Sequence, residues 1–134
     1  MTKWTEEKVL EVVAECRAAA INAGQSKLSE LQQDGPKWAV CNEDGTVAGQ
    51  LLDVCGYAWN EISARGKFFQ TAKKLSKDRG LRFNCSNAYG GGGHFAVYDT
   101  GRRQEMSVNS ACCKAIAEVL SGYGLEASTH SRID

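Results

Sequence analysis

The stretch "LRFNCSNAYGGGGHFAVYD", residues 81–99, decides the fold. Leu81, Phe83 and Cys85 alternate with polar residues, so "LRFNCSN" reads as a strand with one buried face. "HFAVYD" reads as a second strand. Between them stand Gly90, Gly91, Gly92 and Gly93. Glycine tolerates positive φ and adds no side-chain bulk, so the economical reading is a hairpin joining neighbouring strands. A phosphate loop would need Lys and Ser/Thr after the glycines and then a helix; here His94 follows, then a strand. The dinucleotide pattern GxGxxG fails because Phe95 or Ala96 stands where its last glycine should be. Two functional readings remain open for the tip: close approach of another molecule to backbone N–H groups, or a loop that orders on binding.

Upstream, Ser63 is placed to cap a helix whose core stripe is Phe68, Ala72 and Leu75, and "DRG" stops it with Gly80 at the left-handed position. Before it, "LLDVCGYAWNEI" alternates: Cys55, Tyr57 and Trp59 face one side, Gly56, Ala58, Asn60 and Ile62 the other. Downstream, "DTGRR" turns the chain into a helix over about 104–121, with Val108, Ala111, Cys112, Ala115, Val119 and Leu120 as core positions. "LEASTHSRI" is a last strand. The order from residue 54 is strand–helix–strand–strand–helix–strand, which predicts an α+β, ferredoxin-like βαββαβ sandwich: a four-stranded antiparallel sheet with two helices on one face.

An extra N-terminal helix precedes this core. Thr5 is its N-cap, Glu6 and Glu7 suit the first turn, and Val9, Val13, Cys16 and Ala20 form its stripe. It either covers the free sheet face or mediates self-association. The chain is thus a single domain over 1–134, with the helix at 1–33, a variable hairpin or loop at 34–53 ("WAVCNEDGTVAG" turning at Asn42–Gly45) and the core at 54–134.

Composition fits this. The chain of 134 residues is 43% hydrophobic and 24% charged, which excludes a disordered protein. No apolar run suits a bilayer span, and the acidic, helix-patterned N-terminus lacks the features of a signal peptide, so a cytoplasmic protein is expected. The six cysteines form no CxxC pair and are expected to be reduced, buried thiols; no metal or other cofactor is implied. Net charge is zero, yet Arg65, Lys67, Lys73, Lys74, Lys77, Arg79 and Arg82 crowd residues 65–82 against Asp78 alone. That cluster is either a solvated helix face or a dock for phosphates or an acidic partner.

"VCGYAW" at 54–59, "YGG" at 89–91, "KAIAEVL" at 114–120 and "YGLEASTHSRID" at 123–134 resemble a family of small proteins encoded by tailed bacteriophages and prophages. Members carry CGFAW, a YGG-led strand, an AxVL-like helix end and an SR-[MI]-D ending. The resemblance covers roughly the last 80 residues well and the first helix loosely. It departs at residues 33–53 and in having four glycines instead of two. It implies a phage origin, hence the host cytoplasm, and transfers no catalytic residues.

The leading functional expectation is a non-catalytic binding protein that occupies a host macromolecule, with a host protein as the partner, or holds a nucleotide-like ligand, to counter bacterial defence. Its candidate contacts are Tyr57, Trp59, Tyr89, His94, Tyr98 and the basic side chains Lys73, Lys74, Lys77 and Arg82. Tyr57, Trp59, His94 and Tyr98 either fill the core beneath a helix or form a stacking surface like that of RNA-binding sheets, which makes single-stranded RNA an alternative ligand. A small enzyme using His94 with a thiol is a third reading. Arg132 is expected to pair with Asp134 or a partner carboxylate, or to lie on an edge strand that pairs with a second copy.

Overall fold

In the computed structural model, which describes residues 3–133, the chain runs α1 (Glu6–Asp34), β1 (Trp38–Cys41), β2 (Val47–Leu51), β3 (Gly56–Ile62), α2 (Gly66–Leu75), a 3-10 turn (Arg79–Leu81), β4 (Phe83–Asn87), β5 (Gly93–Val97), α3 (Met106–Gly122) and β6 (Ala127–Ile133). Period-2 alternation sorts the strand residues. Gly56, Ala58, Asn60 and Ile62 of β3, Phe83 and Cys85 of β4, and Phe95 and Val97 of β5 are all buried. Ile62, Phe83, Cys85, Phe95 and Val97 meet the apolar stripes of the helices in one core. Burying each large apolar side chain there contributes about 1.5–3 kcal/mol.

The result is α+β. Four antiparallel strands lie in the order β4-β5-β3-β6, and β1 and β2 form a separate antiparallel hairpin. The glycine tract closes the β4–β5 hairpin. Asn87 pairs with Gly93, Ala88 N–H donates to Gly92 O at 2.8 Å, and Gly90 and Gly91 take φ of 95° and 98°. The last glycine is needed for another reason. A Cβ on Gly93 would stand 2.5 Å from Phe69 Cε2, so this strand position lets the α2 ring close onto the sheet.

Of the two places expected for α1, the free sheet face is not the one it takes. Val9, Val12, Val13, Cys16 and Ala20 enter the same core as Phe68 and Ile116, so three helices share one sheet face. α1 runs along α3. Trp4 packs edge-on against Phe68 and Tyr123 at 4.9 and 5.8 Å, and a Cβ on Gly24 would meet Cys112 Sγ at 2.7 Å. Thr5 caps α1 as expected, its Oγ1 accepting from Lys8 N–H at 3.1 Å. At 29 residues α1 is ~43 Å long against ~26 Å for the 17 residues of α3, so its C-terminal part overhangs.

Several local expectations shift. Ser63 does not cap α2; its N-cap is Arg65, with no side-chain bond. The left-handed residue after α2 is Arg82 (φ 58°), not Gly80, which sits in a 3-10 turn capped by Asp78. α3 is buried on two sides, so Asn109, Cys113 and Ile116 join Val108, Cys112 and Leu120 inside, while Ala111 and Ala115 stay half-exposed. Its N-terminus is held from a distance: Asp53 accepts from the Ser107 N–H at 3.2 Å and from its hydroxyl. Burial alone would push Asp53 up, but the bonds from Ser107 and the Val54 N–H hold its carboxyl below the usual range.

Candidate binding face of the sheet

Because all three helices pack on one side, the other side of the sheet is open. The residues that alternate with the core point there: Tyr57, Trp59 and Glu61 from β3, His94 and Ala96 from β5, Asn84 and Ser86 from β4, and Ser128, His130 and Arg132 from β6. The core reading of the aromatic residues therefore fails for Tyr57 and Tyr98, which are 46% and 44% exposed.

Pairing register brings the rings together. Trp59 lies opposite His130 and Tyr57 opposite Arg132. The Trp59 and His130 rings stack at 5.5 Å and 19°, and Tyr57 leans on Trp59 at 5.9 Å. Glu61 lies opposite Ser128 on one side and His94 on the other. At the far end Arg82 lies over the Tyr98 ring at 5.6 Å and forks onto Asp99 at 2.9 and 3.1 Å. Arg82 and Asp99 are the two non-glycine residues with positive φ among those described. Arg17 clamps both turns from behind, donating to the carbonyls of Leu81, Arg82 and Tyr98. A cavity of about 330 Å³ between Arg79, Arg82, Asn84 and Tyr98 opens beside the ring.

The structure thus gathers Tyr57, Trp59, Arg82, His94, Tyr98 and Arg132 on one face and sets Lys73, Lys74, Lys77 and Tyr89 apart. Lys73 and Lys74 belong to α2, behind the sheet; Lys73 donates to Asn87 Oδ1 at 2.5 Å and Lys74 lies 3.7 Å from Glu6. Lys77 follows the same helix. Tyr89 stands fully exposed at the hairpin tip. Asp134 lies outside the described residues. His130 is a central ring of the face and Glu61 lies beside it, and neither is among the candidates drawn from the sequence. The signal for both was the alternation Ser128, His130, Arg132 set against Tyr57, Trp59, Glu61.

The chemistry available is limited. His130 Nε2 lies 2.6 Å from Glu61 Oε2 and 3.0 Å from Ser128 Oγ, so one ring nitrogen meets both groups. A nucleophile–base–acid relay needs the two nitrogens of the ring on separate partners. Cys85 faces the core, across the sheet from His94, and burial pushes the thiols of Cys16 and Cys85 up to about 12. Burial also raises Cys112 and Cys113, the latter against the Arg102 guanidinium. Cys55 precedes β3 at the end away from His94, ~20 Å along the strand from the position opposite it. All six cysteines are free thiols. Among the described residues no group of His, Cys, Asp and Glu is placed to hold a metal, and no helix is long and apolar enough to cross a membrane. Comparison with protein-family models, with curated proteins and with solved structures finds no match.

Proposed function

We propose that this chain is a non-catalytic binding protein whose helix-free sheet face seats a host protein. The observation that carries the reading is the make-up of that face: Tyr57, Trp59, Tyr98, His130, Arg132 and Arg82, with no lysine among the described residues. Tyr, Trp and Arg dominate the energetics of protein interfaces, while Lys is depleted there. The face is also close to neutral, with Glu61 at its middle and Arg82 held by Asp99. The phage-like motifs support a bacterial host, and occupying a component of its defence is the use we assign. We read the strand order β4-β5-β3-β6, with a helix after β3 and after β5, as the ferredoxin-like arrangement.

The test is affinity capture from a bacterial host, read by mass spectrometry, with three forms of the protein. The double variant Tyr57→Ala, Tyr98→Ala should lose a partner that the wild type captures, at unchanged melting temperature. Lys73→Glu, Lys77→Glu, altered behind the sheet, should keep it. Loss only in the lysine variant would move the site to α2 and end this proposal.

A second reading has one observation of its own. Tyr57 and Trp59 on β3 and His94 and Tyr98 on or beside β5 place rings on the two central strands, the geometry on which single-stranded RNA bases stack. Titration with single-stranded RNA at two salt concentrations tests it, since phosphate contacts give a steep salt slope.

A further inference from the structure

The two edges of the sheet are treated differently. The β4 edge is covered from α2: Ser76 Oγ donates to the Cys85 carbonyl at 3.2 Å, and Lys73 reaches over to Asn87. β6, at the other edge, pairs with β3 along all seven residues from Ala127 to Ile133, and among the described residues its outer side meets no strand. It contains neither proline nor lysine, the residues that commonly blunt an edge. Ile133 is 63% exposed at its end.

We propose that two copies of this chain pair antiparallel through β6, about a two-fold axis at His130, and so build one eight-stranded sheet. This register alone pairs all seven residues. It sets Ala127 opposite Ile133 of the second copy, Ser128 opposite Arg132, Thr129 opposite Ser131 and His130 opposite its own counterpart. Each contact is complementary. The exposed Ile133 gains an apolar neighbour on the helix side. Arg132 makes no ion pair among the described residues. In the pair it faces Ser128, whose inner neighbour is Glu61, and the short serine lets the guanidinium reach that carboxylate. The two imidazoles at the axis are each held by their own Glu61 at 2.6 Å, which keeps each ring turned toward its own β3. Helices of both copies lie on one side, and the open faces join into one platform carrying both sets of rings.

Sedimentation velocity of the wild type, over a range of concentrations, should show a dimer. Arg132→Glu places a carboxylate against Glu61 of the second copy and should shift the protein to monomer with an unchanged circular-dichroism spectrum. Adding Glu61→Arg to that variant restores opposite charges and should restore the dimer. In a Cys41→Ser, Cys55→Ser background, His130→Cys should cross-link into a covalent dimer on mild oxidation, and Tyr89→Cys should not. A wild type that stays monomeric throughout overturns the proposal. So does a dimer that survives Arg132→Glu and fails to cross-link at residue 130. Neither outcome touches the capture test at Tyr57 and Tyr98, which stands or falls separately.

Discussion

Gly92 and Gly93 are neighbours in one tract and do different work. Gly92 has ordinary φ and open space around a would-be Cβ, whereas Gly93 meets Phe69 at 2.5 Å and the Ile62 carbonyl at 3.2 Å. Gly92→Ala should therefore be neutral or slightly stabilising, because it restricts the unfolded chain. Gly93→Ala should cost about 1–3 kcal/mol, since the ring must move off the sheet. Denaturant unfolding of the two variants checks this. The hairpin was legible from four glycines between two alternating strands. The reason for the fourth was not, because it depends on a ring that arrives from another element. The thiols give a second prediction. A buried cysteine whose folded pKa is raised releases its proton later than the unfolded chain does. The stability it contributes is whole below about pH 8.5 and is lost as pH rises toward its folded value. With Cys16 and Cys85 raised to about 12, and Cys112 and Cys113 raised in the same direction, the melting temperature should fall progressively above pH 9. A flat profile to pH 11 would show these thiols to be solvated.

At the scale of elements, α1 is the piece whose type was plain and whose place was not. Its cap and stripe are local signals. Which side of the sheet it takes depends on α3, which offers it a second apolar face through Cys112 and a close approach at Gly24. The same two-sided burial explains why one stripe failed to find Asn109, Cys113 and Ile116. Gly24→Leu should force α1 away from α3 and cost about 1–3 kcal/mol, outweighing the gain in helix propensity of up to about 1 kcal/mol. Arg17 ties α1 to both turns at the end of the β4–β5 ladder, through three carbonyls. Arg17→Met should cost about 1.5–3 kcal/mol. It should also speed amide exchange at Arg82, Tyr98 and Asp99 more than elsewhere; uniform acceleration would argue against a local clamp.

The whole molecule separates two surfaces that the sequence could only list together. Alternation in "VCGYAWNEI" assigned Tyr57 and Trp59 to one side correctly, but whether that side was covered depended on where α1 packs. Once α1 joins α2 and α3, the rings are left open, and Lys73 and Lys74 end behind the sheet. Strand pairing sets His130 against Trp59, a neighbour that no local pattern around residue 130 names. Partner binding at these rings depends on that open face. Hydroxyl-radical footprinting of the purified protein measures it directly, with the fully exposed Tyr89 as an internal reference. Tyr57 and Tyr98 should be modified readily and Phe83 and Phe95 scarcely at all; protection of both tyrosines to the level of Phe95 would mean that the face is covered and contradict the account.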